Sequence, residues 1–165
     1  MKTLYFVRHA KSSWKDFNLR DHDRPLNSRG KRDAPKMAAR LVALAGAPDG
    51  LLTSTAKRAK TTARSFREAA GLSKDAVLER EELYHAAPRE IEAVIKELPA
   101  DWDTVFVFGH NPGYTDLANR LINNGYIDNV PTCGIVEATS DVAKWRDFKL
   151  SEARRGRFLY PKDGG

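Results

Sequence analysis

Two continuous apolar runs of strand length, Thr3-Leu4-Tyr5-Phe6-Val7 and Thr104-Val105-Phe106-Val107-Phe108, each lead within two residues into a histidine, His9 or His110. Runs this rich in β-branched and aromatic residues, with no alternating polar face, suit strands covered on both sides. Around them lie segments whose apolar residues recur at helical spacing. The alternation reads as α/β: a three-layer sandwich with a mainly parallel central sheet and helices on both faces.

The remaining elements follow the same pattern. A helix is expected from Asn27 or Ser28 with Met37, Leu41 and Leu44 on its buried face, and Pro35 inside it predicts a kink or a late start. Gly50 to Ser54 reads as a second strand, followed by a helix from Ala56 to Ala70 that buries Ala59, Ala63, Phe66 and Ala70 and stops at Gly71. Val77 to Tyr84 is expected to be extended. Pro88 opens a helix carrying Ile91, Val94, Ile95 and Leu98, and a further helix carries Leu117, Leu121 and Ile122. The tail alternates in Ile135 to Thr139, Trp145 to Lys149 and Arg157 to Tyr160, which predicts short strands or a hairpin closing one sheet edge.

At 165 residues the chain is long enough to bury about two-thirds of its unfolded surface, so one domain over 1–165 is expected. Cys133 is the only cysteine, which excludes an internal disulfide and a cysteine metal cluster. The apolar start, Met1 to Val7, is far shorter than a signal-peptide core or a membrane span. A cytoplasmic protein, monomeric and without a membrane partner, is therefore expected. The formal charge of +6 favours anionic partners. Basic residues are scattered among acids and no aromatic-interleaved RNA motif occurs, so phosphorylated protein or a small phosphorylated metabolite is expected rather than nucleic acid.

In an open α/β sheet, ligands bind beyond the carboxyl ends of the strands. Three such ends carry basic groups: Arg8-His9, the Ser54 to Arg58 turn, and His110-Asn111. A neutral imidazole can attack phosphorus, and guanidinium groups hold phosphoryl oxygens and offset their charge. His9 is the candidate nucleophile, Arg8 and Arg58 the clamp, and His110 a further donor.

These residues sit in recognisable motifs. Val7-Arg8-His9-Ala10 resembles the Arg-His-Gly signature of the histidine phosphatase superfamily, whose fold is phosphoglycerate-mutase-like. Asp23-Arg24-Pro25-Leu26-Asn27-Ser28-Arg29-Gly30 resembles the loop that follows, Ser54 to Ala63 the second phosphate motif, and Gly109-His110-Asn111-Pro112-Gly113 the second-histidine motif, all in the correct order. The short length, the opening Arg8 to Trp14 and the stretch Glu82-Leu83-Tyr84-His85-Ala86 resemble the SixA-type phosphohistidine phosphatases. The resemblance implies a phosphorylated His9, with Arg8, Arg58 and His110 completing the phosphate pocket, and it implies no metal and no organic cofactor. Ala10 replaces the signature glycine, and Lys11 replaces the acidic residue of the mutase and sugar-phosphatase branches.

Expulsion of an alkoxide profits from a carboxylic acid, whereas imidazole departs more readily. Glu82 is the candidate acid for a small-molecule phosphomonoesterase, the alternative to action on protein phosphohistidine. A third reading is an inactive relative that binds phosphate or nucleic acid. Lys11, Ser12, Asn111 and His85 are expected to contact phosphate or substrate. His22, between Asp21 and Asp23, reads as a solvated loop residue, and the compact Asp21-His22-Asp23 lacks the partners of a metal site.

Overall fold

The computed structural model describes residues 1–163. Its elements are β1 (Lys2–Arg8), α1 (Ser28–Ala45), β2 (Gly50–Thr53), α2 (Lys57–Ala70), β3 (Val77–Glu79), α3 (Pro88–Ile95), β4 (Thr104–Gly109), α4 (Gly113–Arg120), β5 (Ile135–Ser140) and β6 (Arg154–Leu159). The six strands form one sheet in the order β3-β2-β4-β1-β5-β6. The four strands from β3 to β1 are parallel, and β5 and β6 add antiparallel pairings at one edge.

Period-two alternation in the central strands separates two cores. Leu4 and Phe6 of β1 with Val105 and Val107 of β4 pack under α3 and α4 through Ile91, Val94, Ile95 and Leu117. Tyr5, Val7, Phe106 and Phe108 face the other way, against Met37 and Leu41 of α1 and Ala63 and Phe66 of α2. That is why the two strands are apolar throughout: both faces are inside. Among the described residues no helix is long and apolar enough to cross a membrane.

Helix ends follow the local chemistry. The Asn27 side chain accepts from Gly30 N at 2.9 Å and caps α1, and Gly71 ends α2 in the left-handed conformation with φ 71°. Several expectations need correction. α1 starts at Ser28 rather than late and stays helical through Pro35; Pro35 and Lys31, whose carbonyl loses its helical partner, are both exposed residues. Leu44 and Ile122 are exposed rather than buried, and Ala70 is only half-buried. Val77 to Tyr84 is extended only over β3 and then turns as a 3-10 helix over Glu81–Leu83. Trp145 to Lys149 is no strand: Trp145–Asp147 forms a 3-10 turn that sinks Trp145 and Phe148 into the core, with the indole N–H donating to Trp102 O at 2.7 Å.

Gly113, the first residue of α4, packs its Cα against the segment before α3, and a Cβ there would stand 2.2 Å from Ala86 O. The neighbour is backbone, so a clash of about 1–3 kcal/mol outweighs the helix-propensity gain of at most ~1 kcal/mol. Gly113→Ala should therefore lower the urea midpoint with an unchanged m-value.

Candidate active site

Because β2, β4 and β1 are adjacent and parallel, their carboxyl ends open on one sheet edge. Register pairs Arg8 with Gly109, and His9 N–H donates to Gly109 O at 3.0 Å, so the next residues, His9 and His110, stand side by side with ring centroids 5.2 Å apart. Ser54 follows β2 and its Oγ lies 2.8 Å from His110 Nε2. Arg58, in the first turn of α2, returns its Nε to 3.4 Å from His9 Nε2. The three strand ends of the sequence reading thus meet in one place.

Hydrogen bonding sets the tautomer of His9. Its Nδ1 is 2.8 Å from the Ala10 carbonyl, which can only accept, so the proton is on Nδ1 and Nε2 keeps its lone pair toward Arg58. Burial pushes the His9 pKa from 6.5 down to about 3; the Ala10 bond opposes this, and the charges of Arg58, Arg8 and Arg24 add to it. His110 is pushed to about 2, again by burial first, then by His9 and Arg58. Both rings are neutral at working pH. The backbone around His9 is pinned: Cys133 N, at a residue with φ 60°, bonds the carbonyls of Arg8 and His9, and Ala10 N bonds Thr62 Oγ1. Burial raises the Cys133 thiol far above its ordinary value, so it is inert.

Arg58 is held by Asp21, which sequence reasoning did not single out. Its Nη1 donates to Asp21 O at 2.6 Å and its Nη2 to Asp21 Oδ2 at 2.9 Å. The same Oδ2 accepts from Tyr84 Oη and lies 3.1 Å from His85 Nε2, while Oδ1 accepts from Arg24 Nε at 3.1 Å. Partial burial opposes ionisation of Asp21, but the hydrogen bonds from Tyr84, Arg58 and Arg24 and the Arg58 charge outweigh it and hold the carboxyl well below the usual range. Arg24, also missed, is buried, bonds Ser12 Oγ at 2.8 Å and stacks 3.5 Å over Trp14. The signal available in the sequence was the acid and base three apart in Asp21-His22-Asp23-Arg24. Arg8 donates Nη1 to Val130 O at 2.9 Å; Arg8 Nε and His110 Nδ1 are buried without a hydrogen-bond partner among the described residues.

Other expected contacts are placed differently. Ser12 is occupied by Arg24, and the Lys11 side chain is exposed while its carbonyl accepts from Asn27 N. Asn111 spends its amide on Asn129 and Val130 and its oxygen on Thr115, so it braces the loop that receives Arg8 rather than facing a ligand. His85 does reach the pocket, its ring 5.7 Å from that of His110. His22 stays partly exposed, as expected for a loop residue, but its Nε2 also lies 2.9 Å from Thr55 Oγ1. Glu82 is tied to Arg80, which also binds Glu97. The Arg80 hydrogen bond, first among the causes, takes the Glu82 pKa down to about 2, which leaves it ionised, the reverse of what a proton donor needs. No group of three or more His, Cys, Asp and Glu among the described residues is arranged to hold a metal ion.

Residues 4–105 match the family model of the histidine phosphatase superfamily, branch 1, and the chain belongs to that family. Its fold is that of SixA-type proteins: a chain from Agrobacterium tumefaciens assigned as phosphohistidine phosphatase SixA superposes with a TM-score of 0.79 at 26% identity, covering 97% of this chain and 98% of that one. The protein histidine phosphatase SixA complexed with tungstate gives a TM-score of 0.80 at 19% identity, over 96% and 97% of the two chains. An uncharacterized protein of Mycobacterium leprae is 32% identical over 94% of this chain and 100% of its own length, and an uncharacterized chloroplast protein of Arabidopsis thaliana is 31% identical over 91% and 72%.

The buried neutral histidines make stability depend on pH. Unfolded histidine takes up a proton near pH 6.5, whereas the folded rings do so near 3 and 2, so their contribution is complete above 6.5 and is lost as pH falls from there. Urea denaturation at pH 7.5 and pH 5 should show a fall approaching ~1.4 kcal/mol per pH unit per histidine. The fall should be shallower in His110→Gln.

Proposed function

We propose that this phosphatase hydrolyses phosphohistidine on a protein through a covalent phospho-His9 intermediate. The observation that carries this reading is the unprotonated His9 Nε2, fixed by the Nδ1 bond to Ala10 and faced by the Nε of Arg58. His9 Nε2 attacks phosphorus, the bond from phosphorus to the substrate imidazole breaks, and the leaving nitrogen takes a proton from solvent. Water then attacks phospho-His9, releasing inorganic phosphate and restoring the ring. Arg8 and Arg58 bind the phosphoryl oxygens, and His110 donates from Nδ1 once Ser54 occupies Nε2. An arriving phosphate would satisfy the two buried polar atoms that now lack partners, each worth about 1–3 kcal/mol when left unpaired.

The substrate class follows from the acids. Asp21 and Glu82 are both held ionised, so neither carboxyl is poised to protonate an alkoxide, and a leaving group as good as imidazole suits the site better than a sugar alcohol. Similarity to chains assigned as SixA phosphohistidine phosphatases, one of them bound to a tetrahedral oxyanion, supports the same reading. We place the activity in the cytoplasm, in signalling or phosphotransfer, and without a metal.

The test compares a phosphohistidine peptide, p-nitrophenyl phosphate and glycerol phosphate as substrates in EDTA. The first two should turn over, with glycerol phosphate at least ~100-fold poorer in kcat/KM. Protein-bound phosphate stable to base and labile to acid should be trapped, and His9→Ala should abolish it. Glu82→Gln should stay within about twofold on all three substrates. Preference for glycerol phosphate that collapses in Glu82→Gln would instead establish the small-molecule phosphomonoesterase.

A further inference from the structure

Behind the wall of the catalytic pocket lies a second concavity. The 3-10 turn Asp21–Asp23 presents Asp21 to Arg58, Tyr84 and His85 on one side, while His22 and Asp23 line a groove of about 600 Å³ on the other. The first turn of α2 divides in the same way, with Arg58 turned inward and Lys57 lining the groove.

The groove is strongly cationic. Lys57, Lys60, Arg64 and Arg67 line it from α2 and Lys74 from the turn before β3, against the two carboxylates Asp23 and Glu79. The four helix residues recur at i, i+3, i+7 and i+10, one face of a helix, flanking the buried stripe of Ala59, Thr62, Ala63 and Phe66 on the side where Ala63 meets the groove. At about 1.5 Å per residue they form a row ~15 Å long that starts beside the pocket mouth. Their internal pairs are loose: Lys60 to Glu79 is 3.5 Å and Arg64 to Glu68 is 3.8 Å, each between exposed side chains, where such pairs contribute little. Lys57 and Lys74 have no acidic partner within 4.0 Å among the described residues.

We propose that this groove docks an acidic segment of the phosphorylated protein, adjacent to its phosphohistidine. The inference rests on the phosphatase reading above and names its partner's chemistry. A phosphate alone needs only the pocket of His9 and Arg58, and a small metabolite has no reach along a ~15 Å row. A second copy of this chain, at +6, would be repelled. A single-stranded nucleic acid would want aromatic side chains for base stacking, and the groove lining offers only the ring of His22, already edge-on to Tyr84. An extended peptide spans ~3.3 Å per residue, so four or five residues with carboxylates flanking the phosphohistidine cover the row.

Two phosphohistidine peptides of equal length test this, one carrying three glutamates beside the phosphohistidine and one carrying glutamines. Free phosphoimidazole reports the chemistry alone. The intact enzyme should prefer the glutamate peptide by about tenfold in kcat/KM at low salt, the preference shrinking as ionic strength rises. Lys57→Glu with Arg64→Glu should erase or reverse the preference while phosphoimidazole turnover stays within about threefold; both positions are exposed, and circular dichroism checks the fold. Equal kcat/KM for the two peptides in the unsubstituted enzyme, or a preference surviving the double substitution, overturns the groove. Failure to turn over phosphoimidazole and both peptides overturns the phosphatase reading instead, and anisotropy with the unphosphorylated glutamate peptide then still reads the groove: binding lost in the double variant supports it, no binding overturns it. A single-stranded oligonucleotide that displaces the peptide and binds more tightly assigns the groove to nucleic acid.

Discussion

The parallel pairing of β1 with β4 is the contact on which the rest depends. Its register, Arg8 opposite Gly109, puts the residues that follow in the same plane and brings two imidazoles 5.2 Å apart at the end of a sheet buried on both faces. Parallel neighbours cannot be joined by a tight turn, so the long connection between them carries α1, β2, α2, β3 and α3. It brings β2 to the far side of β4, and with it Ser54 for His110 and Arg58 for His9. Each part of the site is thus the end of an element whose position is set by sheet packing.

Electrostatics then decides the state of those parts. Arg58 and Arg24 are almost entirely buried, and an isolated guanidinium there would be costly. Asp21 supplies the counter-charge to both, and being partly exposed it carries a smaller desolvation penalty itself. The geometry has a further effect. Asp21 takes both Nη groups of Arg58, so the Nε edge is the one left facing His9. A planar fork can hold an anchor with one edge and a ligand with another, which a lysine in this position could not do.

The architecture was legible because its signals were long and redundant: two unbroken apolar strands, helices with clear apolar stripes, and histidines and arginines in order at the strand ends. What was misread lay where a short pattern met a tertiary partner. Alternation in Trp145 to Lys149 looked like a strand, but the indole N–H finds Trp102 O and the segment curls inward. Leu44 and Ile122 kept helical spacing, yet Leu44 is exposed while Val42 and Ala45 on either side of it pack on the core, and Ile122 lies two residues past the end of α4. His22 and Asn111 were judged by neighbours in the chain, while their partners, Thr55 and Val130, come from other segments. Asp21 stayed hidden for the same reason: its four partners lie at positions 24, 58, 84 and 85, and no local pattern shows that they converge.

Glu82 shows how a neighbour can reassign a functional group. It lies in the 3-10 turn after β3, and Arg80, whose N–H bonds Thr53 O beside the end of β2, turns its guanidinium onto Glu82 and Glu97. The carboxyl is thereby kept ionised and engaged outside the pocket, and what the same turn delivers to Asp21 is Tyr84 and His85 instead. A pocket whose carboxylates orient arginines rather than donate protons stabilises the charge of the phosphoryl group well and assists a poor leaving group little. That asymmetry selects for a scissile bond that is already weak, and the bond from phosphorus to an imidazole nitrogen meets the condition better than an alkyl ester does.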